Sequence, residues 1–251
     1  MNPKSSAGYF IAETGVEVPV VTAEQMRELD RIATQETGPS LLQMMENAGR
    51  NLALLAMELM GPRWRNTRIA ILAGSGGNGG GGICAGRHLA NRGIPVSLCL
   101  ADPLGLSEAA AAQRRIFQSA AGKEVSVGKI ADLEADLILD ALIGYGLKSA
   151  PRGATEELIA WAGDRNVPIL ALDVPSGIDA TTGDAPGKFI RPTWTMTLAL
   201  PKSGLLPQNT GQLFLADIGI PVAAFRRLTP SYVSPYGKRF WVGLKYGWST
   251  Y

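Results

Sequence analysis

Three segments of this chain carry residue types suited to holding anions or moving protons. In the first, the apolar run Arg68-Ile69-Ala70-Ile71-Leu72-Ala73 stops at Gly74-Ser75-Gly76-Gly77-Asn78-Gly79-Gly80-Gly81-Gly82. Glycines permit positive φ and let backbone amides approach an anion closely. A helix that follows adds its free N–H groups and the positive end of its dipole. A phosphate or diphosphate suits such a loop; a tight turn with close helix packing is the other use for so much glycine. In the second segment, Leu137-Ile138-Leu139-Asp140-Ala141-Leu142 runs into Ile143-Gly144-Tyr145-Gly146-Leu147-Lys148. In the third, an apolar run ends in Asp173-Val174-Pro175-Ser176-Gly177-Ile178-Asp179. Either Asp140 or Asp173 alone reads as a cap or turn former. Two of them at equivalent strand ends, beside an anion loop, point to one crevice. Asn78, Asp140 and Ser176 together offer hard oxygens to a monovalent or divalent cation, though their spacing alone does not establish a site.

The elements that must aim these loops are legible as alternating helices and short apolar strands. Thr22 followed by Gln25 is a capping-box signature, and Met26, Leu29 and Ile32 then recur at helical spacing. After Gly38-Pro39-Ser40 the same period resumes through Leu41, Leu42, Met45, Ala48 and Leu52. Further helices are expected over 83–91, 107–121 and 156–163, and strands over 68–73, 96–102, 137–142, 167–173, 193–200 and 212–218. Nearly continuous apolar strands between helices belong to a mostly parallel sheet covered on both faces. The expectation is a three-layer αβα Rossmann-like sandwich with ligands beyond the carboxyl ends of the strands. One domain is expected over residues 1–228, followed by an aromatic-rich tail over 229–251.

Composition excludes several function classes. A single histidine, His88, rules out a multi-histidine zinc site and a two-histidine acid–base pair. Lys plus Arg number 24 against 22 acidic residues, too even a balance to make a dedicated nucleic-acid binder. Cys84 and Cys99 lie within apolar runs and read as buried free thiols in a reducing compartment. No run approaches the ~18 apolar residues of a membrane span. The first residues, MNPKSSAGYFIAETG, hold too short an apolar core for a secretory signal. The cytosol is the expected location.

Several ordered motifs together resemble the YjeF N-terminal domain family. They are Thr22 to Asp30, Leu42 to Gly49, the glycine loop with Ala85 to Leu89, Asp140 to Gly144, Asp173 to Asp179, Pro201-Lys202 and Ala216 to Pro221. The resemblance covers roughly Val21 to Leu228. It implies an NAD(P)HX epimerase, usually a homodimer, that interconverts the R and S epimers of hydrated NADH or NADPH. A separate ADP- or ATP-dependent dehydratase would then restore the cofactor. Carried over residue by residue, it assigns potassium to Asn78, Asp140 and Ser176. It assigns the nucleotide substrate to Gly77, Asn78, Gly79, Gly80 and Gly81, and to a second loop of Gly144, Tyr145, Gly146, Leu147, Lys148, Ser149 and Ala150. Asp173 becomes the carboxylate that contacts substrate and exchanges the proton of the departing or arriving water.

The loop departs from the family pattern at Gly77, where an Asn is usual, and at Gly81, where an Asp is usual. Those departures keep two other readings beside the epimerase: a catalytically silent nucleotide- or protein-binding scaffold, and an enzyme of altered substrate. His88 reads as a structural, hydrogen-bonded residue, not a catalytic base. In the tail, Val242, Leu244, Tyr246 and Trp248 alternate as in a strand with one apolar face. An edge strand packed on the domain or across a dimer, a peptide that joins a partner by strand addition, and a tail without a role are its three readings.

Overall fold

The computed structural model describes residues 9–247; Trp248 and the opening residues of the leader reading lie outside them. Ten strands form one sheet. Seven are parallel, in the order β5 (Lys123–Val125), β4 (Val96–Leu100), β3 (Ile69–Ala73), β6 (Leu137–Ala141), β7 (Ile169–Leu172), β8 (Trp194–Leu198) and β9 (Gln212–Ala216). Chain order reverses direction between β3 and β6, so these two neighbours diverge at their carboxyl ends and open a crevice there. The mostly parallel αβα sandwich expected from the sequence is therefore the fold.

Alternation along the strands explains the layers. Ile69, Ile71, Leu137, Leu139, Leu170 and Leu172 join one core with Leu52, Leu55, Ile83, Leu89 and Phe117. The latter come from α2 (Leu41–Met60), α3 (Gly77–Ala90) and α4 (Glu108–Phe117). Ala70, Leu72 and Ile138 face the other way, against Leu158, Ile159 and Trp161 of α5 (Gly153–Gly163). A third cluster gathers α1 (Ala23–Ile32), the short helix α6 (Val222–Leu228) and the far end of the sheet. The Thr22 capping box forms: the Gln25 amide donates to Thr22 Oγ1 at 3.2 Å and the Thr22 amide to Gln25 Oε1 at 2.8 Å. Ser40 and Gln43 repeat it at the start of α2.

Two expectations are corrected. The helix after the glycine run begins at Gly77, not Ile83. Most of the supposed loop is helix because the glycines answer a packing demand: a Cβ on Gly79 would strike the Gly74 carbonyl, on Gly80 the Met45 thioether, and on Gly82 the Ala141 methyl. Gly74 to Gly76 alone form the turn. The second correction concerns the tail. Residues Trp241–Gly247 form β10, an interior strand antiparallel to both β9 and β1 (Tyr9–Ala12), with β2 (Glu17–Val18) outermost. It is not an edge strand, and a boundary at Leu228 would part it from both neighbours. Its aromatics fill the fold: Trp241 meets Phe214 edge-on at 5.5 Å, Tyr246 meets Phe10 at 4.4 Å, and Tyr232 stacks on Phe225 at 4.3 Å.

The packing account has a direct test. Gly82→Ala gains about 1 kcal/mol of helix propensity but forces two methyls together on a rigid strand, and overpacking costs typically 1–3 kcal/mol. Urea unfolding should show a net loss. Gly77→Ala, whose added carbon meets open space, should stay within about 0.5 kcal/mol of the parent.

Candidate functional site

The crevice at the β3–β6 divergence deepens into a cavity of about 760 Å³, a size that accommodates a nucleotide-scale ligand. The amino end of α3 forms one wall. Gly76 caps that helix in extended backbone with no side-chain acceptor, which leaves the first N–H groups available to an anion. Gly77, Asn78 and Gly81 line the space. The opposite wall is Ile143 to Gly146, and Gly144 has to be glycine-small: a Cβ there would lie 3.0 Å from Asp173 Oδ2 and 3.2 Å from Asn78 Cγ. Met26, Leu41, Met44, Met45 and Ile218 add an apolar side, with Arg27 and Arg31 at its rim.

Asp173 stands where β7 ends, at φ 68°. Among residues other than glycine, Asp and Asn adopt that left-handed conformation most readily. Its amide donates to the Met196 carbonyl at 2.7 Å, which locks the turn to β8. Its carboxylate collects donors from three directions: the Tyr145 amide at 3.1 Å on Oδ2, the Leu198 amide at 3.3 Å on Oδ1, and the Lys202 ammonium, ion-paired with Oδ1. Lys202 is wholly buried, and Nζ also donates to the Leu198 carbonyl at 2.9 Å and to Thr197 Oγ1 at 3.4 Å. All three of its protons are used. Further along the wall, the Tyr145 hydroxyl donates to Asp30 Oδ2 at 2.5 Å. Burial pushes the Asp30 carboxyl up, against the pull of that bond and of Lys202.

Asp140 and Ser176 are both fully buried and do not line the cavity. Asp140 accepts from the Ser176 amide at 2.9 Å, the Ser176 hydroxyl at 2.6 Å and the Leu142 amide at 3.2 Å. Burial nonetheless raises its carboxyl to about 6, because every one of those donors is neutral. The Ile143 amide donates to Ser176 Oγ at 2.8 Å and so ties the second loop to the third. Asn78 is the exception in this network: both polar atoms of its side chain are buried and neither has a hydrogen-bond partner. A buried amide oxygen without a donor is a suitable ligand for a cation.

The structure thus brings Gly77, Asn78, Gly81, Gly144, Tyr145, Gly146 and Asp173 to one cavity, and the buried pair Asp140 and Ser176 joins its wall through Ile143. Gly79 and Gly80 are buried inside α3 and do not line it. Neither do Leu147, Lys148, Ser149 and Ala150; Lys148 and Ser149 are exposed. His88 is also elsewhere, with Nε2 2.8 Å from Glu46 Oε1, in a cluster where Arg87 bonds both Glu46 and Cys84. Two of the three groups that could ligate a metal there, Glu46 and Cys84, are thus already bonded to a guanidinium. Sequence reasoning missed Lys202 and Asp30 as site residues. The signal for Lys202 was a charge after the apolar run Leu198-Ala199-Leu200-Pro201, which needs a partner once buried.

Comparison with known proteins places the chain among relatives. The family model for the YjeF-related protein N-terminus matches residues 41–204. An NAD(P)H-hydrate epimerase of Dehalogenimonas lykanthroporepellens is 52% identical over 218 residues, which cover 87% of this chain and 89% of that protein. A bifunctional NAD(P)H-hydrate repair enzyme of Moorella thermoacetica is 38% identical over 215 residues, covering 80% of this chain and 41% of that protein. A crystal structure of a yeast protein superposes with TM-score 0.77 over 90% of this chain and 100% of its own, at 22% identity.

The Asp173–Lys202 pair makes a measurable demand on stability. Lys202→Met strands a buried carboxylate and should cost about 3–5 kcal/mol. Lys202→Met combined with Asp173→Asn removes both charges and should recover most of that loss. Urea unfolding of the parent, the two single variants and the double variant gives the coupling directly; strictly additive losses would show that the two groups do not depend on each other.

Proposed function

The chain belongs to the family of YjeF-related N-terminal domains, and on that premise we propose that it is an isomerase, an NAD(P)H-hydrate epimerase that interconverts the R and S forms of hydrated NADH or NADPH. The observation that carries this reading is the meeting of the α3 amino terminus with Asp173 across one nucleotide-sized cavity. The diphosphate of the substrate rests on the free amides of Gly77 and its neighbours. The hydrated nicotinamide ring then reaches toward Asp173.

Epimerisation at the hydrated carbon requires its C–O bond to break and to re-form on the other face of the ring. The departing oxygen takes up a proton and an incoming water gives one away. Asp173 is placed to carry one of those protons, in general acid–base catalysis worth typically 10²–10⁴-fold. Lys202 fixes the orientation of its carboxylate. Closing the ring into the cavity excludes bulk water and holds the reacting atoms near the carboxylate.

The oxygens of Asn78, Asp140 and Ser176 fit potassium, and the partnerless Asn78 amide together with a carboxylate lacking any cationic neighbour supports that assignment. When bound, the ion would supply positive charge beside Asp140 and order the two loops. Of the second substrate loop, Gly144, Tyr145 and Gly146 contact substrate, and Leu147 to Ala150 set the course of the loop behind them. The functional unit is a homodimer in the cytoplasm, and a separate ADP- or ATP-dependent dehydratase consumes the product epimer. No helix among the described residues is long and apolar enough to cross a membrane.

Purified protein incubated with R-NADHX should generate the S form, followed by chromatographic separation of the epimers. Asp173→Asn keeps the left-handed backbone and should slow the conversion by about 10²–10⁴-fold. Failure of the parent protein to convert either epimer, with its melting temperature still raised by NADH, would replace this reading with that of a silent nucleotide-binding scaffold.

A further inference from the structure

Inversion at a ring carbon needs proton transfer on two faces. As the first C–O bond breaks, its electron pair goes to oxygen, which takes a proton and departs as water, while the ring nitrogen's lone pair fills the vacancy at carbon. A second water then bonds to the opposite face and loses a proton as its C–O bond forms. The formula is unchanged, and one proton is given and one taken. Because the two oxygens lie on opposite sides of the ring, a single carboxyl fixed on one side serves only one of them.

Among the described residues that line the cavity, two are carboxylic acids, Asp173 and Asp30, and none is a histidine. Tyr145 sets their relation. Its main-chain amide donates to Asp173 Oδ2 at 3.1 Å, and its hydroxyl donates to Asp30 Oδ2 at 2.5 Å. One residue thus bridges the two carboxyls, Asp173 at its main-chain amide and Asp30 at its hydroxyl, and both line the cavity.

We propose that Asp30 is the second acid–base group of this cavity, acting on the ring face opposite the one served by Asp173. The assignment rests on the epimerase reading above. The two environments divide the labour. Asp173, held by its ion pair with Lys202, takes the proton that the incoming water gives up. Asp30 is largely withdrawn from water, which favours its protonated form. With Oδ2 occupied by the Tyr145 hydroxyl, Oδ1 is the oxygen left to donate. In the reverse direction the two exchange roles. Tyr145 itself is unsuited to either, since burial and the neighbouring Asp30 push its hydroxyl far above its ordinary range; it positions Asp30.

The test separates inversion from simple exchange. Each NADHX epimer is incubated in water enriched in oxygen-18, and both epimer ratio and label at the hydrated carbon are followed by chromatography and mass spectrometry. In Asp30→Asn, which preserves the bond from Tyr145, inversion should fall by about 10²–10⁴-fold. The epimer whose hydroxyl faces Asp173 should still exchange its oxygen with retention. Asp30→Ser repeats the measurement if the first variant folds poorly, as judged by melting temperature with and without NADH. Inversion at the parent rate in either variant overturns the proposal, as does equal loss of inversion and exchange, which marks a structural role. A parent protein that neither inverts nor exchanges overturns the epimerase reading itself, and this assignment with it.

Discussion

The site depends on how closely α3 can approach the sheet. With side chains at positions 79, 80 and 82 the helix would be held off the Gly74 carbonyl, Met45 and Ala141. Moved outward, its first amides would no longer face the crevice where β3 and β6 diverge, and Asn78 would move away from Gly144. A helix interior so rich in glycine gives up roughly 1 kcal/mol per residue relative to alanine. Burial of Ile83, Cys84, Ala85 and Leu89, all fully enclosed, offsets that loss. The glycine run therefore serves the anion site indirectly, through packing, as much as directly through its amides.

A second economy concerns charge. Asp173 and Lys202 are both nearly inaccessible to solvent, and each would be costly to bury alone. Together they use up one another's hydrogen-bonding capacity with help from Thr197, Leu198 and Tyr145. The pair also connects the ends of β7 and β8 to the second loop. Strain is stored beside it: Asp173 and Ala199 are the two residues other than glycine with positive φ among those described, a conformation that costs of order 1–3 kcal/mol at such positions. Strain held next to a cavity by a buried ion pair belongs to a geometry that is enforced.

The sequence made the parallel half of the fold legible because buried parallel strands are short, apolar and bounded by glycine or proline, and six of the seven were placed within three residues of their ends. β5, reading Lys-Glu-Val, was missed, since two of its three residues face solvent and carry no apolar signal. β1 was missed for a different reason: four residues at a chain end have no period to count. Asp140, Asp173, Asn78 and Ser176 could be gathered because strand ends share one side of a parallel sheet. Asp30 and Lys202 could not be found in this way. Asp30 enters from a helix whose periodicity reports only its apolar face, and Lys202 from a turn. Their contacts with Tyr145 and Asp173 are tertiary, spanning 115 and 29 residues.

The position of β10 has a consequence for biosynthesis. β1 pairs with β10 on one side and with the two-residue β2 on the other, so β1 lacks its longer partner until β10, far along the chain, has left the ribosome. Until β10 arrives, the nascent chain carries an unsealed flank at β9, with Leu213, Leu215 and Phe214 awaiting cover. Contacts that close across more than 230 residues are slow to form, and open strand edges invite association with other chains. Assembly of the parallel core can run ahead of β10, while sealing of the sheet waits for that strand and depends on its being intact.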